Sequence, residues 1–237
     1  MAAGQGQCGC CRFLLPSARS LTLERLPPDV SHRTPPPSPA EKEAQPPMPS
    51  PVPGLAPGKY ARLERERRFL LAALPSTERP ASVRKITDHY LTGTSLRLRH
   101  IRGPGEDQYK LTQKIPVTQP GPVQGLITNI YLSKAEHDQL VTALPGQPLT
   151  KTRYSIPPLG IDVFDPPLHG LVIGEAEFGT DAEILAFRLP ACIHAEVTCD
   201  PRFTGGRLAT TSREDLASWL TEYGINLPDG PDLDPAR

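Results

Sequence analysis

Three charged side chains alternate along one short stretch that ends in apolar residues. The sequence LERERRFLL, residues 63–71, places Glu64, Glu66 and Arg68 at every second position. Alternate residues of a β-strand share one face, so two carboxylates and one guanidinium would point the same way. Carboxylate oxygens are ligands for hard divalent cations, and a guanidinium binds phosphate oxygens through charge-assisted hydrogen bonds. The stretch therefore predicts a strand whose charged face binds a metal ion, an anion or both.

The same alternation recurs in other strand-like segments, and each segment carries charges of a single sign. The sets are Arg97 with Arg99, Lys110 with Lys114, Lys151 with Arg153, and Glu175 with Glu177. Any one of these strands is also typical of a half-solvated antiparallel sheet. Together they favour a ligand that uses both signs. In a closed barrel the charged faces would converge on a polar lumen suited to a metal–polyanion complex.

Many short strands and few helices are predicted after residue 58. The strand-like segments are residues 62–71, 86–91, 95–101, 108–115, 125–132, 150–156, 160–164, 171–178 and 195–198. This spacing predicts an antiparallel barrel or sandwich. Helices are predicted at 133–144, where Ser133 and Glu136 form a capping-box pattern, at 180–189, and at 211–224, which ends at Gly224.

The composition divides the chain into three parts. Residues 1–57 contain 13 of the 30 prolines and few large apolar residues, which predicts a disordered N-terminal extension. Residues 58–225 form the predicted domain, and 226–237 a flexible tail. A net charge of zero gives no argument for nucleic acid, and no apolar run approaches the roughly 20 residues that span a bilayer.

The cysteines predict no disulfide framework and no zinc site. Five cysteines are an odd number, and Cys8, Cys10 and Cys11 have no second cysteine pair or histidine at zinc-site spacing. With no secretory signal in view, reduced thiols and a cytoplasmic location are expected.

Six motifs resemble, in order, those of the CYTH domain, the family of triphosphate tunnel metalloenzymes. They span roughly residues 59–210 and read ERERRFLL, YLTGTSLRLRHI, YKLTQK, LTKTRYSI, IDVFDPPLHGLVIGEAEF and EVTCDPRFTGGRLA. The family includes class IV adenylate cyclases, thiamine triphosphatases and inorganic triphosphatases. The resemblance implies an α+β fold, in which an eight-stranded antiparallel β-barrel forms a tunnel and helices pack outside.

The resemblance also implies a role for each charged set. Glu64, Glu66, Glu175 and Glu177 would bind Mg²⁺ or Mn²⁺; Arg68, Arg97, Arg99, Lys114 and Arg153 would hold the triphosphate. Lys151 would help to position the attacking water. Asp162 would either bind the metal or orient an arginine, and Glu196 would lie at a tunnel mouth or pair with a lumen cation.

Three departures from the family pattern leave the function open. Arg68 replaces a lysine; Ile127 and Asn129 stand where many triphosphatases have acids; Phe203 and a glycine pair stand where relatives often have tyrosine and asparagine. Hydrolysis of inorganic triphosphate or a related small triphosphate is the leading hypothesis. Non-catalytic binding of polyphosphate or nucleotide is the alternative, and class IV cyclase activity is a weaker one. The expected partner is a small triphosphate or polyphosphate, with no nucleic acid or membrane, and the choice between monomer and homodimer stays open.

Overall fold

The computed structural model describes residues 59–76, 79–116 and 123–227. The predicted N-terminal extension, Cys8, Cys10, Cys11 and most of the predicted tail lie outside these residues. The strands are β1 Arg62–Leu70, β2 Ser82–Leu91, β3 Leu96–Arg102, β4 Gln108–Pro116, β5 Val123–Leu132, β6 Gly146–Ile156, β7 Leu159–Phe164, β8 Val172–Glu177 and β9 Ala195–Glu196. The helices are α1 Lys134–Ala143, α2 Asp181–Ala186, α3 Gly205–Leu208 and α4 Arg213–Glu222, with a 3₁₀ turn at Pro201–Phe203.

Eight of the strands form a closed antiparallel barrel, as the family resemblance implies. The order is β5-β4-β3-β2-β6-β7-β8-β1, and pairing of β1 with β5 closes the ring. Gly125 of β5 lies opposite both Glu64 of β1 and Pro116 of β4. A Cβ atom on Gly125 would lie 2.1 Å from the carbonyl oxygen of Ile115, and its φ is +147°. Only glycine therefore fits where the ring closes.

One edge of β1 is shared by two strands. Its first half, Arg62–Arg65, pairs with β5, whereas Phe69 and Leu70 pair with β9. The Val197 amide continues the contact by donating to the carbonyl oxygen of Arg68 at 2.8 Å. The opposite edge of β1 pairs with β8 from Glu66 to Leu70. The C-terminal segment therefore completes the wall beside β1.

The predicted elements are present, with shifted ends. Ser133 and Glu136 form the capping box of α1, and Ser212 caps α4. Gly224 follows α4 with φ of +73°, as expected for a helix-ending glycine. β2 and β6 each begin four residues earlier than predicted, because residues 82–85 pair with 152–155 of β6 and residues 146–149 pair with 88–91 of β2. The 3₁₀ turn and α3 are too short for a periodic pattern to predict.

An apolar cluster joins the barrel to its C-terminal helices. The row of β1 that carries Glu66 and Arg68 continues to Leu70, which packs with Phe164 and Ile173 of neighbouring strands. Phe203, Leu208, Leu216 and Leu220 cover these side chains from the turn, α3 and α4. Each such buried side chain stabilises the fold by about 1.5–3 kcal/mol. The apolar residues thus gather at one end of this row, and the charged residues occupy the rest.

A second apolar cluster lies on the outer face of β1, β7 and β8. Phe69, Ile161 and Val172 form its centre, and Phe178 and Phe187 from the chain around α2 cover it. Cys192 also packs against this cluster. In the part of the chain that the structure describes, no helix has the length and apolar character needed to span a membrane.

Candidate metal and phosphate site in the barrel interior

Charged side chains and one threonine, from seven strands, meet inside the barrel, and we call this set the polar interior. It consists of Glu64, Glu66, Arg68, Asp88, Arg97, Arg99, Lys110, Thr112, Lys114, Lys151, Arg153, Asp162, Glu175 and Glu177. Directly opposed residues of an antiparallel pair share a face. Arg68 opposes Glu175, Glu66 opposes Glu177, and Arg153 opposes Asp162. The register thus brings the predicted metal ligands and phosphate ligands onto one face.

Interactions across the barrel show that this face points inward. Burial acts to lower the pKa of Arg97, but Asp88, Tyr90 and also Glu175 raise it. Arg97 lies on β3 and Glu175 on β8, and these strands are not neighbours in the ring. Their side chains therefore interact through the interior.

Glu66 is the carboxylate with a raised pKa in the acidic wall, by which we mean Glu64 and Glu66 of β1 with Glu175 and Glu177 of β8. Burial and the nearby Glu175 raise its pKa to about 7, although Lys114 and Arg68 oppose the shift. A buried carboxylate beside a second carboxylate is costly unless a cation neutralises it. Glu64, on the same strand, already has a cation, because Lys114 Nζ lies 2.7 Å from its Oε1. The wall around Glu66 therefore has the electrostatic character of a cation site.

Asp162 lies on β7, next to the acidic wall, and organises two basic side chains of β6. It is fully buried, and Arg153 donates to it from Nε and Nη2, both at 2.7 Å. The Lys151 ammonium donates to the same carboxylate. Of the two roles that the sequence leaves open for Asp162, these contacts are those of a carboxylate that orients an arginine.

Arg153 links this pair to the acidic wall. The Nη2 of Arg153 also donates to Glu175. Burial acts to raise the pKa of Glu175, but Arg153 and Lys151 hold this pKa well below its usual range. Lys151 is only 6% exposed and lies over the ring of Phe164. Arg153, the predicted phosphate ligand, and Lys151, the predicted water-positioning residue, thus both donate to the carboxylate of Asp162.

A second buried carboxylate, Asp88, organises the basic wall on β3. Arg99 donates to Asp88 from Nε at 2.5 Å and from Nη2 at 2.7 Å, and Arg97 Nη1 lies 3.7 Å away. Arg97 also donates to the Tyr90 hydroxyl at 3.2 Å. Asp88 is not among the residues that the sequence singles out. The signal was present in ITDHYL, residues 86–91, where Ile86, Asp88 and Tyr90 alternate.

Arg68 contacts backbone carbonyls rather than the centre of the interior. Its Nη1 donates to the carbonyl oxygen of Phe203 and its Nη2 to that of Thr198, both at 3.0 Å. Its Nε lies 3.5 Å from Glu66 Oε1. A guanidinium reaches these separate acceptors at once, which the point charge of a lysine does not. These contacts tie β1 to the turn before α3.

Glu196 lies outside the polar interior. Its carboxylate accepts from Arg67 Nε at 2.9 Å and from Nη2 at 2.7 Å. Arg67 alternates with Glu66 and Arg68, so it lies on the outer face of β1, beside the rings of Phe69 and Phe187. The pair that Glu196 forms with Arg67 therefore points away from the lumen, because β9 docks on the edge of β1.

The wall formed by β4 and β5 has no carboxylate. The fully buried Thr112 donates to Asn129 Oδ1 at 2.7 Å, and Ile127 lies opposite Lys114. Ile127 and Asn129, which stand where many triphosphatases have acids, therefore face the polar interior.

The carboxylates of the acidic wall are suitable ligands for a divalent cation, but they are not arranged around a common metal position. Within residues 59–76, 79–116 and 123–227, no group of three or more His, Cys, Asp or Glu side chains is arranged to hold a metal ion. Glu66 lies opposite Glu177 in the register of β1 and β8. Glu64 forms an ion pair with Lys114, and Glu175 forms one with Arg153. Carboxylate oxygens are the ligands that Mg²⁺ and Mn²⁺ prefer. Metal binding would therefore require exchange of ion-pair partners.

Comparisons with known proteins find similar solved structures and nothing else. No family model and no curated protein matches the chain. The inorganic triphosphatase NE1496 is 27% identical over 62% of this chain and 95% of that chain, with a TM-score of 0.43. The PH1819 protein from Pyrococcus horikoshii OT3 is 17% identical, with coverages of 69% and 92% and a TM-score of 0.40.

A third similar structure is a putative adenylate cyclase from Vibrio parahaemolyticus. It is 9% identical over 70% of this chain and 91% of that chain, with a TM-score of 0.33. These TM-scores all lie below 0.5 and carry no inference about activity. The function is therefore argued from the residues of the barrel interior.

Proposed function

We propose that the protein binds a small triphosphate, together with Mg²⁺ or Mn²⁺, in the barrel interior and hydrolyses it. The observation that carries this proposal is the convergence of Arg97, Lys114 and Arg153 with Glu66 and Glu177 inside one closed barrel. A triphosphate carries several negative charges and needs both kinds of wall, because the metal and the basic side chains neutralise different oxygens.

The basic side chains are held in place before a ligand arrives. Asp88 fixes Arg99 through two hydrogen bonds, and Asp162 fixes Arg153 in the same way. Donors whose orientation is set in advance stabilise developing charge without reorganising during the reaction. In phosphoryl transfer this positioning and electrostatic stabilisation is most of what a protein contributes.

Glu66, Glu175 and Glu177 would hold the divalent cation, with Glu64 as a fourth carboxylate on the same face. When bound, the ion would polarise phosphate oxygens as a Lewis acid. Arg153 and Lys114, which pair with Glu175 and Glu64, would then contact phosphate oxygens instead. The carboxylates and cations of the interior thus change partners together.

Lys151 is the proposed water-positioning residue. Its ammonium is held by Asp162 beside Arg153, so a water molecule that it contacts would lie next to the bound phosphate. In the reaction, the water oxygen forms a bond to the terminal phosphorus, the bridging P–O bond breaks with its electron pair on the leaving oxygen, and the protons of the water pass to the phosphate products and solvent. For inorganic triphosphate the products are diphosphate and phosphate. No covalent enzyme intermediate is required.

Non-catalytic binding is the second candidate, and one observation favours it. The Thr112–Asn129 hydrogen bond and Ile127 give the β4–β5 wall no acid that could bind a second cation or orient a water. Such an interior would retain a triphosphate without turning it over.

The deciding experiment measures both binding and turnover on the full chain. Phosphate release from inorganic triphosphate, ATP and thiamine triphosphate is followed with Mg²⁺ and with Mn²⁺, and binding is followed by calorimetry. The proposal expects release that Glu66→Gln abolishes and that Glu106→Gln, in an exposed loop, leaves unchanged.

The outcomes separate the candidates. Tight binding without release from any of the three compounds would leave the binding function and overturn hydrolysis. Formation of cyclic AMP from ATP would instead identify a class IV cyclase. A chain that binds no polyphosphate at all would overturn both proposals.

A further inference from the structure

Lys110 differs from the other basic side chains of the polar interior in its contacts. Each of the others has a carboxylate within ion-pair distance. Lys110 makes no hydrogen bond and no ion pair with any residue that the structure describes. It nevertheless faces the interior, because it lies directly opposite Arg99 on the neighbouring strand.

The surroundings of Lys110 contain more positive than negative charge. Burial, and then Arg99 and Arg97, lower its pKa to about 8, while Asp88 and Glu177 act in the opposite direction. Three cations therefore lie around one carboxylate, that of Asp88, both of whose oxygens already accept from Arg99.

Arg97 adds a buried hydrogen-bond donor that has no acceptor among the described residues. This donor is its Nε atom, whereas its Nη1 donates to the Tyr90 hydroxyl. A buried donor without a partner costs stability, and so do like charges held close together. The same groups, however, would be satisfied at once by an anion placed between them.

We propose that Lys110 and Arg97 form a further anion-binding position of the barrel interior, which takes one phosphoryl group of the substrate. This inference rests on the proposed function, because it adds a ligand-binding residue to the same interior. Lys110 and Arg97 are diagonal neighbours on one face of the sheet, since Arg97 opposes Thr112 and Arg99 opposes Lys110. A phosphoryl group between Lys110 and Arg97 would thus extend the row of cations that continues to Lys114 on the same strand.

The test compares Lys110→Met with Lys134→Met. Lys134 is an exposed lysine on α1 that pairs with Asp138, so it is a matched control for the loss of one charge. Calorimetry with inorganic triphosphate, without metal, measures affinity, and thermal unfolding of the ligand-free protein measures stability. Lys110→Met is expected to weaken affinity roughly tenfold or more, as for loss of a hydrogen bond to a charged group, and to raise Tm. Lys134→Met should do neither.

Opposite signs of the two effects distinguish a ligand-binding residue from a structural one. A lower Tm with unchanged affinity in Lys110→Met would overturn the proposal. Lys110→Arg should retain the affinity, because it keeps the charge. If binding depends on Lys110 but no phosphate is released, the proposed hydrolysis is overturned and the Lys110 site stands. If wild type and Lys110→Met bind triphosphate equally, the Lys110 site alone is overturned. If wild type binds no triphosphate, both proposals are overturned.

Discussion

The carboxylate of Asp88 is fully buried and receives both Nε and Nη2 of Arg99, at 2.5 and 2.7 Å. Despite its burial, Arg99 and Arg97 hold the pKa of Asp88 well below its usual range. Asp88→Ala should lower the free energy of unfolding by about 3–5 kcal/mol, because it leaves a buried guanidinium without its partner. Urea unfolding measures this loss.

The matched control is Asp138→Ala, which removes an exposed ion pair on α1. Surface pairs of this kind contribute little, so its unfolding midpoint should stay close to that of wild type. An equal, small effect of both variants would contradict the structural role of Asp88.

Gly205 makes room for Tyr90, whose hydroxyl accepts from Arg97. A Cβ atom at Gly205 would lie 1.9 Å from that hydroxyl oxygen, whereas one at Gly206 would be at an ordinary 3.7 Å from the ring. Gly205→Ala should therefore destabilise the protein by about 1–3 kcal/mol through overpacking, and weaken triphosphate binding by displacing Tyr90. Thermal unfolding and calorimetry measure the two effects.

Gly206→Ala is the control on the same short helix. It should be neutral or slightly stabilising, because alanine favours the helix and the contact is tolerated. If the two substitutions had the same effect on binding, the Tyr90 contact would not be the cause.

The acidic wall predicts that divalent cations stabilise the fold. At a Mg²⁺ or Mn²⁺ concentration a hundred times the dissociation constant, the free energy of unfolding should rise by about 2.7 kcal/mol. Differential scanning calorimetry should show a higher Tm that a chelator reverses. Glu66→Gln should abolish the increase and Glu106→Gln should retain it; the same increase in both would show that the ion binds elsewhere.

Triphosphate affinity should depend on pH above neutrality. Burial, Arg99 and Arg97 lower the pKa of Lys110 to about 8, against Asp88 and Glu177, so its positive charge is present below pH 8 and lost as pH rises through 8. Affinity should therefore fall in the wild type between pH 7 and 9. Lys110→Arg stays charged over this range, and comparing the two proteins by calorimetry removes the titration of triphosphate itself. Parallel pH profiles would contradict the prediction.

The same titration affects stability with the opposite sign. An unfolded chain protonates this lysine near its ordinary pKa of 10.5, so the unfolded state binds more protons than the folded state between pH 8 and 10.5. Lys110 should therefore make the folded protein more stable as pH rises across this window.

The strands and the direction of their charged faces were predictable from the sequence, because period-two alternation depends only on neighbouring residues. Glu66 and Glu175 were placed on their strands in this way, and the closed barrel brings them together. The capping box of α1 was predictable for the same reason, since Ser133 and Glu136 are three residues apart.

Contacts that depend on docking between distant segments were not predictable. Glu196 pairs with Arg67 only because β9 lies along the edge of β1, and Arg68 meets two carbonyl groups only because the turn before α3 lies beside it. The role of Asp88 depends on its register against Arg99. A strand pattern fixes the face of a residue, but register and docking decide its partner.

One edge of β1 pairs with β5 in its first half and with β9 in its second half, and this has a consequence for the order in which the barrel wall can form during synthesis. β1 comes first in the barrel, yet its second half is covered by Ala195–Glu196 and the Val197 amide, from near the other end of the domain. A nascent chain leaving the ribosome would carry an unprotected strand edge beside Glu66 until that segment emerged. Closure of the wall is thus a late step of biosynthesis, and a protein truncated before Ala195 would expose an edge prone to pairing with other chains.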